Sequence, residues 1–191
     1  FEDVSDKLAV YTSCSAAYNN DHRGYNNAGV CLMEMGRRNQ AEEAFNAARS
    51  LAPNNGEVLN NVGAIARQKG MTEEAASLFA KAGSCAESSY NKGLVAITQG
   101  NYGAAISNMS GSSSANLALA KILNGDANGA KTTLMNANDD SAMSSYLLAI
   151  CCARLDDAAG VKANLAAALL KDGTLKGKAG ADLEFSNFRG E

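Results

Sequence analysis

A repeated segment constrains the fold of this chain more than any other feature of its sequence. The run Glu-Met-Gly-Arg-Arg-Asn-Gln-Ala-Glu-Glu-Ala-Phe begins at Glu34 and returns 34 residues later as Gln-Lys-Gly-Met-Thr-Glu-Glu-Ala-Ala-Ser-Leu-Phe. Self-similarity at a fixed period of about 20–50 residues is typical of architectures that stack one supersecondary unit on the next. Because a single unit of this kind cannot bury its own apolar face, we expect the core to form between neighbouring units.

The most complete unit extends from His22 to Asn55, and its signature positions follow a fixed order. An aromatic residue, a small residue before Gly and a large apolar residue come first, and Ala-x-x-x-Phe and a Pro come later: Tyr25, Ala28, Gly29, Leu32, Gly36, Ala41, Phe45, Ala48 and Pro53. This pattern resembles the tetratricopeptide repeat. The resemblance implies two antiparallel helices per unit, with Gly29 and the equivalent Gly63 at helix crossings that face Ala41 and Ala75.

Two independent sets of residues extend the repeat register toward the C-terminus. The turn glycines Gly36, Gly70, Gly100 and Gly125 lie 34, 30 and 25 residues apart, and the alanines five residues after each of them keep the same intervals. We therefore expect an all-α, right-handed superhelical solenoid of antiparallel helix pairs, with about ten or eleven helices.

This register divides residues 1–191, expected to be a single solenoid, into seven segments. They are the C-terminal half of a truncated repeat at 1–21, repeats at 22–55, 56–85, 86–110, 111–139 and 140–172, and a cap at 173–191 in which one helix spans Leu175 to Phe188. The second helix of the third repeat is expected to be short, and the fifth repeat lacks a turn glycine. Because the register starts mid-repeat at Phe1, we expect a piece of a longer protein or a matured product.

The composition argues against several classes of function. A formal net charge of −3 and an isoelectric point near 5.3 provide no basic field for nucleic acid. No run approaches about 18 consecutive apolar residues, so no membrane-spanning segment is expected. No motif for a metal or a cofactor is present, and His22, the single histidine, has no recognisable catalytic partner, so we expect no enzyme. The cysteines are expected to be buried, reduced thiols: Cys14, Cys31, Cys85, Cys151 and Cys152.

A series of asparagines follows the repeat, two residues before the glycine of each first helix or its equivalent: Asn27, Asn61, Asn91 and Asn116. The resemblance implies that this position faces a concave groove, where an amide can donate to and accept from the backbone of an extended ligand. Asn26 and Asn60 are expected to widen the polar strip, and Arg23, Arg67 and Tyr90 to lie on nearby turns. If the amides are free for a ligand, replacing Asn27, Asn61 and Asn91 with Ala leaves folding nearly intact. In the alternative, the amides bond within the array and are structural.

Two classes of function stay open from the sequence. The first is a non-enzymatic interaction scaffold that binds a protein or peptide segment in its concave groove. The second is a structural or assembly module of the bacterial envelope. The Asn-Asn-x-Gly repeats, the shortened units and the ending Asp182-Leu183-Glu184-Phe185 are similar to repeat regions of OmpA-like outer-membrane proteins. That likeness favours the periplasm or the outer membrane over the cytoplasm, although the sequence alone does not fix the compartment.

Overall fold

The computed structural model describes residues 3–84 and 86–188, and within these ranges every regular element is a helix. The described residues form twelve α-helices and one 3₁₀ helix at Leu183–Phe188, against the ten or eleven helices expected. The α-helices are α1 Val4–Ala17, α2 His22–Glu34, α3 Arg38–Leu51, α4 Gly56–Gln68, α5 Thr72–Lys81, α6 Ala86–Thr98, α7 Tyr102–Met109, α8 Ala115–Leu123, α9 Ala127–Asn136, α10 Ala142–Arg154, α11 Ala158–Lys171 and α12 Leu175–Ala181. The predicted all-α class is confirmed.

The chain divides into two compact units, Phe1–Thr98 and Gln99–Glu191. The division falls between α6 and α7, inside the third repeat of the sequence register. The organisation of the chain as one solenoid stays a prediction.

In the first unit each helix packs against the next, and the first helices of successive repeats also contact one another, α2 with α4 and α4 with α6. The core between the helix pairs contains Phe45 and Phe79, which are 2% and 0% exposed. A Cβ atom built on Gly63 would lie 2.7 Å from the Phe79 ring. The residue that requires this glycine is therefore the phenylalanine of the second helix rather than the alanine expected from the sequence, because the ring lies directly on the backbone of α4.

In the second unit the helix pairs are less regular. The second helix of the third repeat, α7, has eight residues, as the short sequence before Ser110 predicted. At the C-terminus, the single helix expected from Leu175 to Phe188 is wrong, since α12 ends at Ala181 and the 3₁₀ helix follows. Asp182 has an extended backbone and its carboxylate accepts hydrogen bonds from the Glu184 N–H at 3.1 Å and from the Tyr146 hydroxyl at 2.7 Å. An Asp that bonds the backbone two residues ahead competes with helix continuation.

The turn between the two helices of each repeat requires a left-handed backbone. Gly36, Gly70, Gly100 and Gly125 have φ angles of 72°, 77°, 75° and 86°. The fifth pair has no glycine there, and Asp156 takes the same position with φ of 58°. The turn conformation is thus preserved without the residue that adopts it most easily.

We expect Asp156→Gly to stabilise the protein by about 0.5–1 kcal/mol, since glycine removes the steric cost of a left-handed β-carbon. The side chain of Asp156 is exposed, so little else is lost. Urea denaturation of the purified chain measures the change. The reciprocal substitution Gly125→Asp, in the preceding turn of the same unit, is expected to destabilise by a similar amount, and a loss of stability in both variants would contradict this explanation.

Candidate functional site

The first helices of the first unit, α2, α4 and α6, carry polar side chains at equivalent repeat positions. A cavity of about 510 Å³ opens there, lined by Val30, Gly56, Glu57, Asn60, Asn61, Ala82 and Glu87. We call it the amide groove. Val30 and Glu87 had not been assigned to a site from the sequence, although helical spacing was a usable signal: Val30 lies four residues after Asn26, and Glu87 four residues before Asn91, on the same helix faces.

Hydrogen bonds between asparagines join the consecutive first helices. The Asn61 Nδ2 donates to Asn26 Oδ1 at 2.9 Å, and the Asn91 Nδ2 donates to Asn60 Oδ1 at 3.0 Å. The Asn26 Nδ2 donates in turn to the Glu57 carboxylate at 2.9 Å. The same bond thus recurs between α2 and α4 and between α4 and α6, because the residues occupy equivalent repeat positions.

These bonds correct two expectations about the asparagines. Asn26 and Asn60 are only 2% and 8% exposed, so they do not widen an open strip, and Asn60 forms part of the groove floor instead. Asn61 and Asn91 were expected to be free for a ligand, but each uses one amide N–H inside the array. Both are partly exposed, and each amide keeps its own carbonyl oxygen and a second N–H beyond the bond described.

Asn27 and Arg23 belong to a different cavity, of about 350 Å³, that they share with Tyr11 and Tyr18. The Arg23 guanidinium is bound to Asp21 at 2.6 Å. The hydrogen bonds from Arg23 lower the pKa of Asp21 to about 2, so the pair stays ionised and the positive charge of Arg23 is engaged locally.

The remaining predicted residues lie apart from the amide groove. Arg67 is partly buried, and its Nε has no hydrogen-bond partner within the part of the chain that the structure describes. Tyr90 is partly buried at the repeat position of Asn26 and Asn60. Asn116 lies in α8 and therefore in the second unit. The structure thus brings together Asn60, Asn61 and their bonded partners, but not the whole predicted set.

The charge of the amide groove is negative. Glu57 and Glu87 line it and are exposed, and no Lys or Arg is among the described residues that form its wall. Glu57 and Glu87 lie in the first turns of α4 and α6, where a negative charge stabilises the helix by interacting with its dipole. This structural role explains part of the negative charge in the groove. The surface nevertheless offers carboxylate and amide oxygens, and it favours groups that donate hydrogen bonds or carry positive charge.

In residues 3–84 and 86–188, no group of three or more His, Cys, Asp or Glu side chains is placed to hold a metal ion. Cys31, Cys151 and Cys152 are buried free thiols, and burial raises the pKa of Cys151 to about 11, which disfavours its nucleophilic thiolate form. Cys14 is exposed, contrary to expectation, and Cys85 lies outside the described residues. None of the described helices is both long and apolar enough to cross a bilayer.

Comparison with known proteins supports the repeat assignment. The sequence model of the tetratricopeptide repeat matches residues 22–55, the unit identified above as most complete. No curated protein matches the chain.

Solved structures similar to this chain are tetratricopeptide-repeat folds. PilW, a widely conserved type IV pilus biogenesis factor, is 17% identical with a TM-score of 0.70, over 97% of this chain and 90% of that one. PilF of Pseudomonas aeruginosa is 16% identical with a TM-score of 0.65, over 97% of both chains. YrrB, a tetratricopeptide-repeat protein with an unusual peptide-binding site, is 15% identical with a TM-score of 0.63, over 85% of this chain and 92% of that one. At these identities the likeness is one of fold.

Proposed function

We propose that this chain is a non-enzymatic interaction scaffold that binds an extended segment of a partner protein in the amide groove. Tetratricopeptide-type arrays generally present surfaces for protein partners rather than catalytic centres. The observation that carries the proposal is the convergence of Asn60, Asn61, Glu57 and Glu87 around one open cavity of about 510 Å³.

The hydrogen bonds between first helices support this proposal by fixing the groove before any ligand arrives. Asn61 is held by Asn26, and Asn26 by Glu57. Because the amide orientation is set within the array, a ligand does not have to order it, and less conformational entropy is lost on binding. The carbonyl oxygen of Asn61, a partly exposed residue, can then accept an N–H from a peptide backbone, which gives affinity with little dependence on peptide sequence.

The charges indicate the kind of segment. Val30, which is 37% exposed, offers an apolar contact beside the carboxylates of Glu57 and Glu87. We propose that the bound segment is extended and carries Lys or Arg next to an apolar residue. A segment rich in Asp or Glu would meet like charge and is disfavoured.

The envelope alternative has no comparable observation among the described residues. The resemblance to OmpA-associated repeat regions depends on short motifs, and the likeness to the pilus factors at 16–17% identity is a likeness of fold. A role in envelope assembly is compatible with groove binding, but we base the proposal on the groove alone.

A selection from a random peptide library, followed by fluorescence titration of the best peptide, tests the proposal. We expect the selected peptides to be enriched in Lys and Arg. Val30→Asn should lower their affinity about threefold or more, because it removes the apolar contact without changing the charge of the groove. Glu87→Lys should lower it about 2–5-fold, the usual effect of one exposed charge pair.

Matched control variants lie elsewhere in the same unit. Val10 is 38% exposed on α1 and does not line the groove, so Val10→Asn is expected to leave peptide affinity unchanged. Glu43 is an exposed residue of α3, and Glu43→Lys controls for the Glu87 variant. Circular dichroism confirms that each variant is folded. Equal losses in the groove and control variants, or selected peptides without basic residues, would overturn the proposal.

A further inference from the structure

An apolar cavity of about 390 Å³ lies in the second unit, along the last second helix. On one side α11 contributes residues at intervals of three and four, a continuous stripe on one helix face: Ala158, Val161, Lys162, Leu165, Ala166 and Leu169. On the other side are Ala179 and Gly180 of α12 and Phe185 and Phe188 of the 3₁₀ helix. We call this cavity the end groove. It belongs to the second unit, whereas the amide groove belongs to the first.

The repeat register shows why this groove is open. Leu165 stands at the repeat position of the phenylalanines, nine residues after the left-handed turn residue. The four equivalent side chains are buried, at 2%, 0%, 1% and 4% exposure: Phe45, Phe79, Met109 and Leu134. Leu165 is partly exposed. The helix that follows Leu165 is the shortest of the five: α12 has seven residues, whereas α4, α6 and α10 have thirteen each and α8 has nine. It therefore covers only about half the length that a thirteen-residue first helix covers.

The residues that follow this repeat position on the second helix are polar near the start of the chain and apolar in α11. At the corresponding place beside the first helix pair, the cavity is about 170 Å³ and its wall includes Asn46 and Arg49. The equivalent residues of α11 are Ala166 and Leu169. Polar side chains at a position that simply faces water would serve solubility better. An apolar wall at the least covered position indicates instead that another apolar surface packs there.

Two lysines flank the end groove. Lys162 and Lys176 line it, and no carboxylate is among the described residues of its wall. Neither ammonium group takes part in an ion pair within residues 3–84 and 86–188. The opening therefore combines an apolar floor with an uncompensated positive rim in a chain whose net charge is −3.

We propose that the end groove binds an amphipathic α-helix of a partner protein, with an apolar face flanked by Asp or Glu. The apolar face replaces the missing length of a first helix over Leu165 and Leu169, and the acidic flanks pair with Lys162 and Lys176. The stripe from Ala158 to Leu169 is about 16 Å long at 1.5 Å per residue, so the bound helix needs about three turns. Such binding extends the array by one helix and is distinct from capture of an extended segment.

The test uses a synthetic, end-capped helical peptide of fourteen residues with Leu at helical spacing on one face and Glu on both flanks. Its binding to the full chain is followed by fluorescence anisotropy, beside a second peptide in which Lys replaces every Glu. We expect the Glu peptide to bind more tightly than the Lys peptide. Leu169→Glu should weaken the Glu peptide about tenfold or more, since it buries a charge against the apolar face. Ala166→Glu, at an exposed position, should act in the same direction without a risk to folding.

The neighbouring residue provides the matched control. Leu170 lies next to Leu169 on α11 but is 89% exposed and outside the groove, so Leu170→Glu is expected to leave binding unchanged. Combined Lys162→Glu and Lys176→Glu should reverse the preference between the two peptides. Equal effects of Leu169→Glu and Leu170→Glu, or absence of binding by both peptides, would overturn the proposal. Concentration-dependent self-association abolished by Leu169→Glu would also overturn it, and would identify a second copy of this chain as the occupant.

Discussion

Replacing Gly63 with Leu is expected to lower the free energy of unfolding by about 1–3 kcal/mol or more, because the position has no room for a side chain. A Cβ there would lie 2.7 Å from one carbon of the Phe79 ring and 2.9 Å from another. That ring is fully buried and cannot move without opening the contact between helix pairs. Separating α4 from α5 would leave voids around a core aromatic residue, which is one of the costliest changes in a packed interior.

Gly63→Ala gives a sharper form of the same prediction. In a helix interior this change usually stabilises by about 0.5–1 kcal/mol, since glycine loses more backbone entropy on folding. Here we expect destabilisation, because even one methyl group overlaps the ring. Gly103 of α7 is the control, since a Cβ there meets no atom within 4 Å, and Gly103→Ala should stabilise. Urea denaturation measures both changes, and a stabilised Gly63→Ala variant would show that the position is not a tight contact.

The contrast between Gly63 and Gly103 shows how much of the helix packing the repeat pattern predicts. The sequence identified the helix pairs because spacing of small and large residues repeats at fixed intervals, and it marked Gly29 and Gly63 as contact points. It assigned the wrong contact partner, since the pattern fixes which positions face inward but not which side chain fills the space. Asp156 marks another limit of the pattern. The sequence placed a turn between the helices of the fifth pair, but without a glycine it did not indicate the left-handed backbone that Asp156 adopts there.

The groove was less predictable than the fold because its properties depend on distances between helices. The sequence placed Asn61 at a groove position, but whether its amide faces a ligand or Asn26 depends on the offset between α2 and α4, which periodicity does not encode. The split of the C-terminal helix at Asp182 was hidden for a similar reason, since the hydrogen bond from Tyr146 comes from another element. The end groove is open because α12 is short. The sequence did not predict it, because the composition of this segment does not distinguish a short helix from a long one.

The amide bonds lead to a second large effect on stability. We expect Asn61→Leu to destabilise by about 1–3 kcal/mol, because it leaves the buried Asn26 Oδ1 without its donor. This replaces the expectation from sequence alone that Asn61 and Asn91 could be changed with folding nearly intact. Asn27→Leu is the control. Asn27 is partly exposed and the described contacts give it no bond of this kind, so we expect a change within about 0.5 kcal/mol.

A double-mutant cycle of Asn26→Leu and Asn61→Leu in urea denaturation isolates the bond between them. Removing both partners leaves no orphaned amide at this contact, so the double variant should lose less stability than the sum of the single variants, with a coupling of about 0.5–3 kcal/mol. Additive losses would show that the two amides do not depend on each other. In that case Asn61 would be free to turn toward a ligand. Coupled losses, together with an intact fold in the Asn27 variant, would show that the bond between Asn26 and Asn61 ties α2 to α4. Any role of Asn61 in binding would then depend on its own carbonyl oxygen and its second N–H.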